Sequence, residues 1–280
     1  MMLLDGKQVK KEILEELKSE LLELSRPLGL TVIQVGDDPA SKVYVGQKEK
    51  MALELGYNFN HIKLDESTTE EELLNIIDEI NQDELVDGLL VQMPLPKHID
   101  AKKVQNRIDP YKDVDGLCDI NAGKLMHNVD TLVPCTPYGI MDMLEYYGVE
   151  VSGKNVVVIG RSDLVGKPIA QLMTNNNATV TICHSKTNNL KEYTTMADIL
   201  VVAIGKPNFI TGDMIKENAV IIDVGINRID GKLVGDVDFQ SAYEIASAIT
   251  PVPGGVGQMT VAELGRNVLK AHKLTLSKEK

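Results

Sequence analysis

The stretch SKVYVGQKEKMALELG at residues 41–56 carries a lysine where a lysine needs a reason. Wound as an α-helix at about 100° per residue, it lines up Tyr44, Met51, Ala52 and Leu55 on one stripe, with Lys48 in the middle. Lys42 and Lys50 point elsewhere, as solvated lysines do. A lysine inside an apolar stripe either carries its ammonium out to water on its long stem or stays partly desolvated and ready to exchange a proton. Two further residues have suitable chemistry. Gln92, in VQMPLP, is either a polar strand end or an amide that orients an ammonium without adding charge. Asp115, in DVDG, is a carboxylate in a stretch that reads, taken alone, as a turn.

A second group of residues suits a dinucleotide. VVVIGRSDLVGKP joins an apolar strand to a helix through Gly160 and Gly166, where a Rossmann turn sets a pyrophosphate on a helix N-terminus. The GxGxxG spacing is not kept: Ser162 stands in place of the second glycine and Gly166 comes one residue late, so a plain strand-to-helix turn fits as well. At the end of the next strand, TVTICHS has His184 and Ser185 where an NAD enzyme carries an acid for the ribose hydroxyls. With Arg161 nearby, this favours a 2′-phosphate and hence NADP; a surface arginine beside a polar strand end is the alternative. The loops AIGKPNFI and DVGIN face the same way in a parallel sheet, the second with Gly225 and Ile226 where a nicotinamide or ribose fits. TPVPGGVGQMT is a Pro- and Gly-rich loop that either admits a ligand close to the backbone or simply turns.

The elements that must hold these residues alternate. KQVKKEILEELKSELLEL places Val9, Ile13, Leu17, Leu21 and Leu24 at helical spacing. Strands follow at GLTVIQVG, NFNHIKL and DGLLVQ, separated by the Lys48 helix and by TEEELLNIIDEI, which a capping box of Thr69 and Glu72 opens. A second unit starts near PCTPYGIMDMLEYYG, with Thr136 as cap, Pro137 at the first helical position and Gly148 as stop. VVVIG, TVTIC, ILVVAIG and AVIIDVG then read as near-continuous apolar strands of a parallel sheet. The fold class is α/β: two α/β lobes around a cleft, the second a Rossmann-like dinucleotide-binding domain with a parallel sheet. The tail LSKEK is expected to fray.

Over 280 residues the formal net charge is −12, which argues against general binding to nucleic acid or an anionic membrane. The longest apolar runs are too short to span a bilayer, and the opening residues lack a signal-peptide pattern, so a soluble, untargeted protein is expected. Cys118, Cys135 and Cys183 are odd in number and widely spaced, with no metal-ligand spacing; reduced thiols in a cytosol fit them, and no metal is expected.

Seven segments occur in one order: YVGQK at 44–48, VQMPLP at 91–96, DVDG at 113–116, PCTP at 134–137, GRSDLVGKP at 160–168, DVGIN at 223–227 and TPVPGGVG at 250–257. Together they closely resemble the bifunctional methylenetetrahydrofolate dehydrogenase/cyclohydrolase family, over about residues 4–270. The family usually has proline between GGVG and Met-Thr; here Gln258 stands there. The resemblance implies oxidation of 5,10-methylenetetrahydrofolate by NADP, then hydrolysis of the methenyl product to 10-formyltetrahydrofolate. It implies that Lys48 is the catalytic lysine, with Tyr44 and Gln92 beside it and Asp115 on the pterin. Further folate contacts would fall on Pro253, Gly254 and Gly255, and NADP contacts on Gly160, Arg161, Ser162, Ser185 and Ile226. It also implies a catalytic, folate-binding domain at 1–118, an NADP-binding domain at 119–280 whose C-terminal helix returns to the first, and a cytoplasmic homodimer. Another Rossmann dehydrogenase with a lysine base, or a dinucleotide-sensing regulator, would share the second lobe alone.

Overall fold

The computed structural model describes residues 1–278, whose contacts divide the chain into two compact units. One is made of residues 13–135 and the chain from Val261 onward; the other of residues 1–12 and 136–260. Residues 1–12 fall with 136–260 because β1 (Met2–Leu3) pairs in parallel with a strand near residue 248; the 118/119 boundary read from the sequence lies within the other unit. α1 (Gly6–Leu21) follows, with Val9, Ile13 and Leu17 buried as their spacing requires.

The first unit is a three-stranded parallel sheet with helices. β2 (Gly29–Val35) is its fully buried centre, flanked by β3 (Asn58–Leu64) and β4 (Gly88–Val91). Between β2 and β3 lies α2 (Pro39–Glu54), which carries Tyr44 and Lys48; its cap is Asp38, whose carboxylate accepts the Ser41 N–H at 2.8 Å, and Pro39 opens it. α3 (Glu70–Gln82) links β3 to β4 and begins with the expected capping box: Glu72 N–H to Thr69 Oγ1 at 3.2 Å, and Thr69 N–H to the Glu72 carboxylate at 2.8 Å. α4 (Ala101–Arg107) and α5 (Asp119–Met126) complete the run to residue 135.

The second unit opens with α6 (Cys135–Tyr146). The helix starts two residues earlier than its sequence suggests, so Thr136 lies inside it; the hydroxyl pairs with Thr260 Oγ1 at 2.8 Å instead of capping. Gly148, at φ +66, ends it, with the Val149 N–H reaching back to Leu144 O. β5 (Asn155–Ile159), α7 (Gly166–Asn175), β6 (Thr179–Cys183), α8 (Leu190–Thr194), β7 (Ile199–Val202) and β8 (Val220–Asp223) build the sheet. A hairpin of β9 (Asn227–Ile229) and β10 (Lys232–Val234), then α9 (Phe239–Tyr243), lead to β11 (Ala248–Ile249). The six strands run in the order β1-β11-β8-β7-β5-β6, all parallel. β5, β7 and β8 are apolar and buried as expected, but β6 is an edge strand and leaves Ile182 at 41% exposure.

α10 (Val256–Lys278) closes the chain. From Val261 it belongs to the three-stranded unit, where it packs on the apolar stripe of α2: a Cβ on Gly265 would lie 2.8 Å from Leu55 and 3.0 Å from Met51 Sδ. Tyr57 donates to the Gly265 carbonyl at 2.9 Å, and His272 Nδ1 sits 2.7 Å from Asp87 Oδ1. Of the tail expected to fray, Leu276 to Lys278 are helical and the last two residues lie outside the described chain. No helix among the described residues is long and apolar enough to cross a membrane.

Candidate active site

In the three-stranded unit the site is built where α2 meets the carboxyl end of β4. Met51, Ala52 and Leu55 are buried against the sheet and α10, and Lys48, one turn earlier, is half-buried at the end of that stripe. Its ammonium donates to Gln92 Oε1 at 3.0 Å. Gln92 directly follows β4 and is only 9% exposed. Its Nε2 donates to Met93 O at 2.7 Å, which commits the amide nitrogen and turns the oxygen towards Lys48. Ser41, from the first turn of α2, donates to the same carbonyl at 3.2 Å. Tyr44 lies one turn before Lys48 on the same helix face, and at 45% exposure it is outside the buried part of the stripe.

Asp115 comes to this end of β4 through the backbone. Asp113 forms a parallel bridge with Leu89, and the Leu89 N–H reaches Lys112 O at 2.7 Å, so the chain runs alongside β4 in the direction of Gln92. The turn is held from inside: Asp113 Oδ2 accepts from Cys118 N–H at 2.9 Å and from Asn121 Nδ2 at 3.0 Å, while burial pushes its carboxyl above the usual range. Asn267 of α10 donates to Val114 O at 2.8 Å and to Val133 O at 2.9 Å. Cys135 is buried in the same place, its thiol 3.4 Å from Val114 O. Burial raises that thiol most; the Asp115 carboxylate raises it further and the Lys48 ammonium lowers it. The Asp115 carboxylate and the Lys48 ammonium thus act in opposite directions on this one buried thiol.

The six-stranded unit presents its candidate residues along one edge, beyond the carboxyl ends of its strands. The strand order reverses at β5, whose neighbours are β6 and β7, and this is the position at which open α/β sheets take ligands. Gly160 leaves β5 at φ +125, and a Cβ there would lie 2.3 Å from Ala203 O; one on Gly166 would lie 2.4 Å from Gly160 O. The turn thus needs both glycines for close backbone approach, even without the GxGxxG spacing. Ser162, in place of the missing glycine, accepts the N–H groups of Val165 and Gly166 at 3.2 and 3.3 Å and so holds the turn that enters α7. Ile159 pairs with Cys183, and Arg161 and Ser185 each follow two residues later, so exposed donors end adjacent strands. Ile226, 51% exposed, follows β8. These residues fit an adenine dinucleotide with a 2′-phosphate: a cleared turn, a helix N-terminus, and a cation beside a hydroxyl. Pro253, Gly254 and Gly255 turn the chain between β11 and α10, with Gly254 O accepting the Gly6 N–H at 2.9 Å. Gln258 is helical, and its N–H bonds Gly255 O at 3.0 Å, which a proline could not do.

Asn267, which no motif singled out, holds the Asp115 turn together with Cys135 of the PCTP segment. The signal for Asn267 was of the same kind as for Lys48: an amide among the apolar positions Val261, Leu264, Val268 and Leu269 of a helix.

The fold and these residues define an α/β oxidoreductase with a Rossmann-like NADP-binding unit and a second unit built around a lysine–amide pair. Residues 4–115 match the family model described as the catalytic domain of tetrahydrofolate dehydrogenase/cyclohydrolase, and residues 134–276 match its NAD(P)-binding domain. The chain belongs to the tetrahydrofolate dehydrogenase/cyclohydrolase family. The bifunctional protein FolD of Bacillus pumilus (strain SAFR-032) is 55% identical over 279 residues, covering 98% of this chain and 99% of the relative. Among solved structures, the bifunctional FolD methylenetetrahydrofolate dehydrogenase/cyclohydrolase of Campylobacter jejuni superposes with a TM-score of 0.97 at 45% identity, over 98% of this chain and 99% of that one. The Trypanosoma brucei enzyme, complexed with NADP cofactor and inhibitor, gives 0.93 at 38% identity, over 99% and 98%.

Proposed function

We propose that this chain oxidises 5,10-methylenetetrahydrofolate with NADP and hydrolyses the resulting 5,10-methenyltetrahydrofolate to 10-formyltetrahydrofolate, with Lys48 moving the protons of the second step. The observation that carries the assignment of Lys48 is its 3.0 Å contact with Gln92 Oε1 in the part of the chain that matches the family's catalytic domain.

When bound, NADP supplies the hydride acceptor. Hydride loss from the methylene carbon is driven by the adjacent nitrogen lone pair and releases no proton from that carbon, so the first step needs alignment more than a base. Arg161 and Ser185 would hold the 2′-phosphate, the Gly160 turn and the start of α7 would take the pyrophosphate, and Ile226 would lie on the nicotinamide side. Asp115 would accept two N–H bonds from the pterin, with Tyr44 beside the folate.

Hydration of the methenyl carbon and ring opening both move protons, from water and then onto nitrogen. Lys48 suits this, because Gln92 fixes the ammonium's direction through a neutral acceptor. A cytoplasmic homodimer is the proposed setting; the three buried, unpaired cysteines fit a reducing compartment.

The test is steady-state turnover of 5,10-methylenetetrahydrofolate with NADP and, separately, NAD. A kcat/KM at least about tenfold higher with NADP is expected from a charge-assisted 2′-phosphate contact. Equal values would remove the roles of Arg161 and Ser185.

A further inference from the structure

Two buried aspartates in the six-stranded unit hold the loops that end β7 and β8. Asp223, the last residue of β8, is 4% exposed, and Asp236 is fully buried. Among the described residues no ion pair involves either. Their partners are N–H donors. Asp223 accepts the backbone N–H groups of Gly225, Asp236 and Val237 at 3.0, 2.9 and 3.0 Å. Asp236 accepts those of Ile204, Gly205 and Lys206 at 2.7, 2.9 and 2.8 Å, and the side-chain amide of Asn227 at 2.8 Å.

The backbone is shaped around this arrangement. A Cβ on Gly225 would stand 2.3 Å from Asp236 Oδ1, and one on Gly235 would stand 1.8 Å from Asp223 Oδ2. Each carboxylate thus occupies the space that a side chain next to the other aspartate would need, which ties DVGIN to the distant dipeptide Gly235–Asp236. Burying two carboxylates without a cation costs stability, so the arrangement calls for a return other than folding. What it secures is local: residues 204–206 leave β7 beside the β5 turn, and Ile226 lies between Gly225 and Asn227, both of which are held.

We propose that Asp236, backed by Asp223, is a positioning residue for NADP: its carboxylate sets the 204–206 loop and, through Asn227, the Ile226 loop in the arrangement that the dinucleotide requires. This rests on the reading that NADP binds along this edge. The carboxylate touches neither substrate nor cofactor; it acts through the backbone groups it orders before the cofactor arrives.

The test uses the full chain carrying Asp236→Asn, which turns an amide NH2 towards backbone donors, and separately Asn227→Ala, which removes one donor. Binding of NADPH is measured by calorimetry without folate, together with KM for both substrates and hydrolysis of 5,10-methenyltetrahydrofolate with no NADP present. For Asp236→Asn we expect NADPH Kd and the KM for NADP to rise together by about tenfold or more, the loss of one charge-assisted contact. Asn227→Ala should move both in the same direction by about threefold. Folate KM and the cofactor-free hydrolysis should stay within about twofold of the wild type. Unchanged NADPH affinity in Asp236→Asn overturns the proposal. Where Asp236→Asn also loses hydrolysis because it does not fold, Asn227→Ala decides: weaker NADPH binding with hydrolysis intact supports the proposal, and unchanged binding overturns it. Wild-type protein that does not bind NADPH overturns the cofactor reading and this proposal together; wild-type binding with unaffected variants overturns this proposal alone.

Discussion

Lys48 Nζ and Gln92 Oε1 lie 3.0 Å apart, one carried by the middle of α2 and the other by the residue that leaves β4. The helix supplies a long, movable ammonium and the sheet supplies a fixed acceptor, because Gln92 Nε2 is anchored on Met93 O at 2.7 Å. On the proposed function, this pair serves the hydrolytic step more than the oxidation.

Lys48→Met keeps the apolar stem and removes the proton carrier. Hydrolysis of 5,10-methenyltetrahydrofolate is expected to fall by about a thousandfold, within the range for a positioned acid–base group, and oxidation by about tenfold. Separate assays of the two reactions check this. Equal residual fractions would contradict the division of labour.

Asp115→Ala is expected to weaken folate binding by about a hundredfold, the loss of a paired, charge-assisted contact, with NADPH affinity unchanged by calorimetry. Asn267→Ala should reproduce part of that folate loss and also lower stability by about 2 kcal/mol, since two buried carbonyls lose their donor. Unchanged folate affinity in Asp115→Ala would remove the pterin anchor.

Arg161→Ala should narrow the preference for NADP over NAD by about tenfold or more, while kcat with NAD stays near the wild-type value. The ratio of specificity constants for the two cofactors is the readout. A ratio that does not move would mean that no phosphate contact is made there.

Asp223 gives the protein a pH signature. Burial lifts its carboxyl from the ordinary 3.8 to about 6, against the three N–H bonds that favour the charged form. Because the folded value is the higher one, the folded chain binds the extra proton between these limits, and the stability from this group falls as pH rises through them. From pH 5 to pH 7 that loss is about 1 kcal/mol. Asp223→Asn lacks the titration, so denaturant unfolding should show its stability relative to the wild type improving by about that amount across the same interval. A constant difference would show that Asp223 does not titrate there.

Much of this was legible because a single residue type broke an otherwise regular pattern. Lys48 interrupts an apolar stripe, Gln92 ends an apolar strand, and the glycines of GRSDLVGKP mark a close approach although their spacing departs from the fingerprint. The capping box at Thr69 was readable because both partners are local. Thr136 was misread as a cap because its partner, Thr260, lies far away in sequence. The β9–β10 hairpin was not anticipated, although Asp230 and Gly231 at its turn, with φ of 48° and 78°, are the residues that such turns prefer. The Asp223–Asp236 arrangement left little local signal: apart from the Gly225 N–H two residues beyond Asp223, the donors that hold each carboxylate lie farther along the chain.

The most direct measurement is a progress curve from purified protein, 5,10-methylenetetrahydrofolate and NADP, following NADPH, the methenyl compound and 10-formyltetrahydrofolate together. NADPH and 10-formyltetrahydrofolate are expected to rise in parallel, with little methenyl compound at any time, and the methenyl compound is expected to accumulate in step with NADPH in Lys48→Met. Methenyl compound accumulating with NADPH in the wild type would contradict the claim that this one chain completes both reactions.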